Sequence, residues 1–179
     1  MRRRHALACT VLAAFAALAG CAPKPPDFSY AGSGAPLWNA LNTSQRNLSD
    51  LSQYAGKPAD AARALAQYEY ILDRIGGGGD GAGIPLASQG VIQGGDGEIR
   101  RALGIAPGTS FGQLARALQG YADLASTGQS AAALAALGAP PFTRGGPATL
   151  ATLTNLPHMP SVQNGSYALQ RAAGNIVAR

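Results

Sequence analysis

The sequence has 179 residues, a formal net charge of +5 and two cysteines. Three of the bases, Arg2, Arg3 and Arg4, stand together at the N-terminus, which leaves 11 basic and 9 acidic residues in the rest of the chain. Such a nearly neutral remainder lacks the clustered Lys and Arg that nucleic-acid binding requires, so we expect no nucleic-acid partner. The length fits one domain.

The first 21 residues have the pattern of a secretory signal peptide. The arginines precede an apolar stretch over residues 6–18, and small residues then lead to Cys21. A basic segment, a short apolar segment and a small-residue cleavage site are typical of such a signal. The apolar stretch is shorter than the ~20 residues that a membrane-spanning helix needs, which argues against an uncleaved span.

The tetrapeptide Leu18-Ala19-Gly20-Cys21 makes this interpretation more specific, because it resembles the lipobox of bacterial lipoproteins. The resemblance covers residues 1–21 only. It implies transfer of a diacylglyceryl group to the Cys21 thiol, cleavage between Gly20 and Cys21, and acylation of the freed amine by a fatty acid such as palmitate. Cleavage by an ordinary signal peptidase is the alternative. We expect a signal peptide over 1–20, a lipidated tether over 21–36 and a helical periplasmic domain over 37–179.

Proline and glycine fill the tether, which at ~3 Å per residue in an extended form reaches roughly 45 Å. The mature chain is expected to have no disulfide, since Cys9 leaves with the signal and Cys21 is acylated.

In bacterial lipoproteins an Asp after the lipidated Cys commonly retains the protein in the inner membrane. Ala22 and Pro23 stand there instead, so the resemblance implies the outer membrane, with the domain facing the periplasm.

The pattern after the tether is helical, and no stretch alternates as a strand does. Leucines between 37 and 51 share one face of a helix that we expect to end near Gly56. Pro58 suits the first turn of a second helix, in which apolar residues between 61 and 75 recur every three or four positions. Gly76 is expected just after its end. The short turn predicts an antiparallel helical hairpin over 37–75, with Leu65 and Leu72 in its packing.

The glycine-rich segment 76–97 lacks periodicity, so we predict a connector there. A short helix is expected over 98–103 with Asp96 as its N-cap, and Ser110 with Gln113 matches a capping box that begins another. Further helices are expected over 130–137, 147–156 and 166–177. The sequence therefore predicts an all-α class: a small helical domain with a helical hairpin and glycine-rich loops.

Two short patterns recur in the chain. Ala-Arg-Ala-Leu-x-x-Tyr occurs at 62–68 and 115–121, and Gly-Gly-Asp-Gly at 78–81 and 94–97. Their offsets differ, which favours chance recurrence in an Ala- and Gly-rich chain, although two related hairpins remain an alternative.

Candidate binding sites are sparse. Residues 76–81 formally match G-x-G-x-x-G, but the dinucleotide motif follows a strand, so a connector is favoured. Asp80 and Asp96 could supply carboxylates to Ca²⁺, but roles in turns and helix caps are the favoured explanation. His158 lies between two prolines and has no histidine or free cysteine to share a transition metal with. We therefore predict no metal site, no cofactor and no catalytic residue.

Glu69 and Glu98 are the only glutamates, and a glycan-cleaving enzyme would need a carboxyl acid of this kind. Glu69 and Asp73 lie one helical turn apart, and we expect them to pair with Arg63 or Arg74 on a solvated face. Five aromatic residues could line a ligand groove: Trp38, Tyr54, Tyr68, Tyr70 and Tyr121. Periodicity instead favours core positions for Tyr68 and Tyr121 and an exposed one for Tyr70.

These patterns favour a membrane-anchored envelope lipoprotein with a structural or protein-interaction role and another envelope protein as its partner. The membrane contact is the lipid anchor. A periplasmic glycan-acting enzyme that uses Glu69 or Glu98 is one alternative. A small-ligand-binding lipoprotein that uses a groove between helices is the other.

Overall fold

The structure is a computed structural model that describes residues 36–76 and 86–177. These ranges contain seven α-helices: α1 (Pro36–Leu48), α2 (Pro58–Gly76), α3 (Leu86–Leu103), α4 (Phe111–Ser126), α5 (Ser130–Gly138), α6 (Gly146–Thr154) and α7 (Pro160–Val177). No strand occurs in the described ranges, and a single β-bridge pairs Ile105 with Phe142. The predicted all-α class is confirmed. The signal peptide, Cys21 and residues 21–35 of the tether lie outside the described residues.

Helices α2 and α4 pack against each other in opposite directions. Near the start of α2, Arg63 donates to the carbonyl of Ala122, close to the end of α4. Near the end of α2, the Asp73 carboxylate accepts a hydrogen bond of 3.0 Å from the backbone N–H of Gly112, in the first turn of α4. The two copies of Ala-Arg-Ala-Leu-x-x-Tyr lie in these two helices, so the recurring pattern marks neighbouring core elements.

A 3-10 segment, Leu51–Tyr54, separates α1 from α2, so the first helix ends earlier than predicted. The reason is local: the side chain of Asp50 caps the 3-10 segment by accepting from the backbone N–H of Ser52 at 2.9 Å. Helices α1 and α2 meet at the buried amide of Gln67, which donates to the carbonyl of Ala40 at 2.6 Å. Leu65 and Leu72 are buried, as predicted.

The predicted connector over 76–97 is wrong for its second half, because residues 86–97 belong to α3. Asp96 therefore lies inside a helix and is not an N-cap. Glycine disfavours helix by about 1 kcal/mol relative to Ala, so local propensity does not explain α3. Packing does: a Cβ at Gly95 would overlap the Tyr68 side chain of α2, and only glycine allows this approach.

Helix α7 begins at Pro160, six residues before the predicted start. The Glu98 carboxylate of α3 accepts from the backbone N–H groups of Ser161 and Val162 at 2.8 and 3.1 Å, and so satisfies donors that the first turn of a helix leaves free. Further along, Gly95 and Gly165 both touch the Tyr68 ring, so α3 and α7 run antiparallel. A cap from another helix cannot be recognised in the local sequence.

One core joins all seven helices and consists mostly of leucine, isoleucine and alanine. Tyr68 and Tyr121 are buried, as predicted, whereas Tyr70 is half-buried. The predicted capping box of α4 is present, with Ser110 and Gln113 bonded reciprocally. Across the described ranges, no helix combines the length and hydrophobicity that crossing a membrane requires.

Candidate functional site

The most unusual group in the described chain is the Glu69 carboxyl, which is fully buried on α2. The prediction of a solvated pair with Arg63 or Arg74 is wrong for this residue. As a carboxylate, Glu69 has no hydrogen-bond donor for either oxygen, and the Arg100 guanidinium approaches it only to 4.0 Å. An uncompensated buried charge costs several kcal/mol, so this position disfavours ionisation.

Asp96 and Arg100 on α3 face Glu69. Arg100 Nε lies 2.5 Å from the Asp96 carboxylate, and its Nη1 donates to the carbonyl of Thr109 at 2.9 Å. The guanidinium also lies 5.5 Å from the centre of the Phe111 ring. Arg100 is thus committed to Asp96 and partly covered. We call Glu69, Asp96 and Arg100 the acid cluster.

Burial raises the pKa of Glu69 to about 9, and the charge of Asp96 raises it as well. The Arg100 charge opposes the rise, whereas a hydrogen bond from protonated Glu69 to Asp96 adds to it. Near neutral pH, Glu69 is therefore an uncharged acid.

Tyr68, the residue beside Glu69, is buried where α2, α3 and α7 meet. Its hydroxyl donates to the carbonyl of Ile92 at 2.6 Å. Burial raises the pKa of Tyr68 above its usual value, with the charge of Glu69 as the next cause. Tyr68 and Glu69 both contact α3.

The carboxyls suggested for glycan chemistry have other roles in this fold. Glu69 has no exposed atoms through which to reach a polysaccharide, and Glu98 is occupied by the first turn of α7. Asp73 is bonded to the start of α4, and Arg63 pairs with Asp60 at 2.9 Å. The structure does not bring these groups together on one open cleft, so they do not form the acid pair of a glycosidase.

His158 is exposed in the loop before α7. It lines a groove of about 420 Å³ between the 3-10 segment and the α6–α7 loop. The groove combines apolar and polar side chains: Leu48, Ser49, Asp50, Leu51, Ser52, Leu156, Pro157, His158, Met159 and Gln163. Hydrogen bonds from Ser52 lower the pKa of Asp50. This volume falls within the range of small-molecule sites.

A second groove, of about 330 Å³, lies between α4 and the prolines that follow α5. Its lining residues are Ala106, Thr109, Gln113, Arg116, Ala117, Pro140 and Pro141. Of the five aromatic residues considered for a ligand groove, none lines either of these two grooves.

No metal site is formed by the part of the chain that the structure describes, since no three His, Cys, Asp or Glu side chains converge there. Asp96 is engaged by Arg100, and Asp80 lies outside the described residues, as do residues 77–81 of the glycine motif. The predicted lipidation site, Cys21, lies outside them too.

The sequence interpretation missed the acid cluster because its members are separated in the chain and one lies in the expected connector. A signal was present: Asp96 and Arg100 are four residues apart, the spacing of an ion pair on a helix. This spacing favours a helix through 96–100, although the surrounding glycines favoured a connector.

Comparison with protein-family models found no match, and comparisons with curated proteins and with solved structures found none either. The functional conclusions below therefore depend on the residues of this chain alone.

Proposed function

We propose that this chain is a lipid-anchored protein of the bacterial cell envelope whose helical domain serves as a structural or protein-interaction module. The observation that carries the proposal is the sequence around Leu18-Ala19-Gly20-Cys21, with its basic and apolar segments upstream. The anchor is stable because two or more acyl chains hold a protein at a membrane where one does not. Ala22 and Pro23 after the cysteine favour the outer membrane, with the domain facing the periplasm.

The surface of α5 and α6 supports an interaction role. Arg144 is the only Lys, Arg, Asp or Glu between Asp123 and Arg171. On α5, Ser130–Gly138, only Ala133 and Leu137 are buried, and the alanines at 131, 132 and 135 are exposed. A helix that is apolar on every side is usually covered, and depletion of charge is typical of interface cores. The proposed partner is an envelope protein with an uncharged apolar face.

The anchor is tested with Cys21→Ser, and mass spectrometry of membrane fractions is the measurement. The native protein should carry acyl groups on Cys21 as its N-terminal residue, and the variant should accumulate as the unprocessed precursor. An unmodified N-terminus at another position would contradict the proposal. Separation of the two membranes on a density gradient then tests the location, and banding with the inner membrane would contradict only that part.

The interaction role is tested by photo-crosslinking in the intact cell. A crosslinking amino acid at Leu134, which is 37% exposed on α5, should capture one envelope protein. The matched control is Gln93, an exposed residue of α3, where no adduct should form. Equal labelling at both positions, or none at Leu134, would contradict an interface at α5.

Small-ligand binding is a second candidate, favoured by the groove around His158. Ligands that bind only the folded state raise its melting temperature with concentration. A library of envelope metabolites should then raise the melting temperature, and Gln163→Trp, which adds volume at a half-buried position of the groove lining, should remove this rise.

A further inference from the structure

The acid cluster joins helices α2 and α3, which otherwise touch little. Helix α2 packs most extensively on α4, and α3 packs most extensively on α7. Tyr68 and Glu69 of α2 contact α3 through Ile92, Gly95 and Arg100. Any change of charge at Glu69 therefore acts on the junction between these two helix pairs.

The charges in the cluster do not balance if every group is ionised. Asp96 and Glu69 would carry two negative charges, and Arg100 carries one positive charge. Arg100 lies 2.5 Å from Asp96 but 4.0 Å from Glu69, so its charge is committed to Asp96. Glu69 is fully buried, and no donor reaches either of its oxygens. A single proton on Glu69 removes the excess charge and supplies a donor for Asp96.

We infer that the acid cluster is a proton-linked joint between α2 and α3: one proton, carried by Glu69, keeps the buried cluster neutral and holds the two helices together. Loss of that proton leaves a second buried anion beside Asp96, and the joint opens to admit water. Besides Asp96 and Arg100 from α3, the ionisable group that faces Glu69 is its neighbour Tyr68 on α2. From α4, Phe111 covers the guanidinium and adds no charge.

The chain is suited to a direct test, because its only glutamates are Glu69 and Glu98. Selective ¹³C labelling of glutamate gives two side-chain carboxyl signals, and Glu69→Gln identifies which one belongs to Glu69. The Glu98 signal is an internal control. The Glu69 signal should keep the chemical shift of a protonated acid at pH 7 and titrate with a midpoint near 9. A Glu69 carboxyl that is ionised at pH 7 would overturn the inference.

Asp96→Asn separates a proton-linked joint from simple burial. This variant removes the neighbouring anion and leaves Arg100 free to pair with Glu69, so the Glu69 midpoint should move to lower pH. If burial alone kept Glu69 protonated, its titration midpoint would be the same in Asp96→Asn as in the native protein. That result would contradict a role of the acid cluster in holding the proton.

Hydrogen exchange measures the opening of the joint. As pH rises through the Glu69 midpoint, amides of α3 around Ile92 and Asp96 should lose protection, after correction for the pH dependence of exchange itself. Amides in the middle of α4 should keep theirs. In Glu69→Gln, which cannot ionise, α3 should keep its protection. Equal loss in both helices, or the same loss in the variant, would contradict the joint.

Discussion

The α2–α4 pair and the α3–α7 pair are both antiparallel, yet their packing differs. Between α2 and α4, aliphatic side chains such as Leu65 and Leu118 are fully buried, and the hydrogen bonds of Arg63 and Asp73 lie near the two ends. Between α3 and α7, Gly95 and Gly165 pack on the Tyr68 ring of α2, and the Glu98 carboxylate of α3 caps the first turn of α7. The middle of the α2–α4 pair is stabilised mainly by the apolar area removed from water. The α3–α7 pair also buries aliphatic side chains, but it depends in addition on the close approaches to Tyr68 and on the hydrogen bonds of Glu98.

This difference makes the two pairs sensitive to different changes. An aliphatic contact tolerates changes of shape but loses stability when volume is removed. A glycine contact loses stability when volume is added, and a polar contact when a partner is removed. Substitutions in each pair therefore distinguish the two kinds of packing.

The largest expected effect is in the aliphatic pair. Leu65→Ala should lower the free energy of unfolding by about 2–5 kcal/mol, because it leaves a cavity under a fully buried side chain. Denaturant unfolding followed by circular dichroism is the measurement. Val91→Ala on α3, where the side chain is 44% exposed, is the control and should change stability by no more than about 0.5 kcal/mol. A similarly small effect at Leu65 would mean that α2 packs in another helical phase.

Two glycines of α3 should respond to alanine in opposite directions. Gly95→Ala should destabilise by about 1–3 kcal/mol, since its Cβ would overlap Tyr68. Gly90→Ala has open space around it and should stabilise by about 0.5–1 kcal/mol through helix propensity. Both values come from denaturant midpoints. The same sign for both substitutions would show that α3 does not approach Tyr68 as described.

Stability should fall as pH rises above 4.5, in contrast to common acid denaturation. The pKa of Glu69 is about 9 in the folded chain and 4.5 when exposed. Between these values the folded state holds a proton that the unfolded state has released. Each pH unit then removes up to about 1.4 kcal/mol of stability. The pKa of Asp50 is lowered instead of raised, and Asp50 affects stability only below about pH 3.8, outside this window.

Unfolding curves at pH 5, 6, 7 and 8 measure this slope. Glu69→Gln should flatten it, because glutamine does not titrate, whereas Asp60→Asn at the surface should leave it unchanged. A slope of the same size in Glu69→Gln would assign the pH dependence to other groups.

The last prediction concerns the cap of α7. Glu98→Ala should cost about 0.5–2 kcal/mol, because Ser161 and Val162 lose the acceptor of their backbone N–H groups. Ser110→Ala removes a cap of the same kind at α4 and should cost about the same. Thermal melts of both variants test whether a cap from another helix is equivalent to a local one. If Glu98→Ala left the melting temperature unchanged, the cap from another helix would not be equivalent to a local cap.

The amino-acid sequence determined the features that depend on neighbours in the chain. The apolar spacing of α2 placed Leu65 and Tyr68 in the core, and the Ser110–Gln113 pair marked the start of α4. Both signals are local, because helix period and capping involve residues within one or two turns.

The tertiary structure alone decided the features that need residues distant in the chain. Residues 86–97 are helical because Gly95 packs on Tyr68, and α7 begins at Pro160 with a cap supplied by Glu98. Glu69 is neutral because folding removes it from water and places it beside Asp96. Helix propensity and charge pattern do not contain these contacts, since burial and partner distance exist only once the helices have assembled.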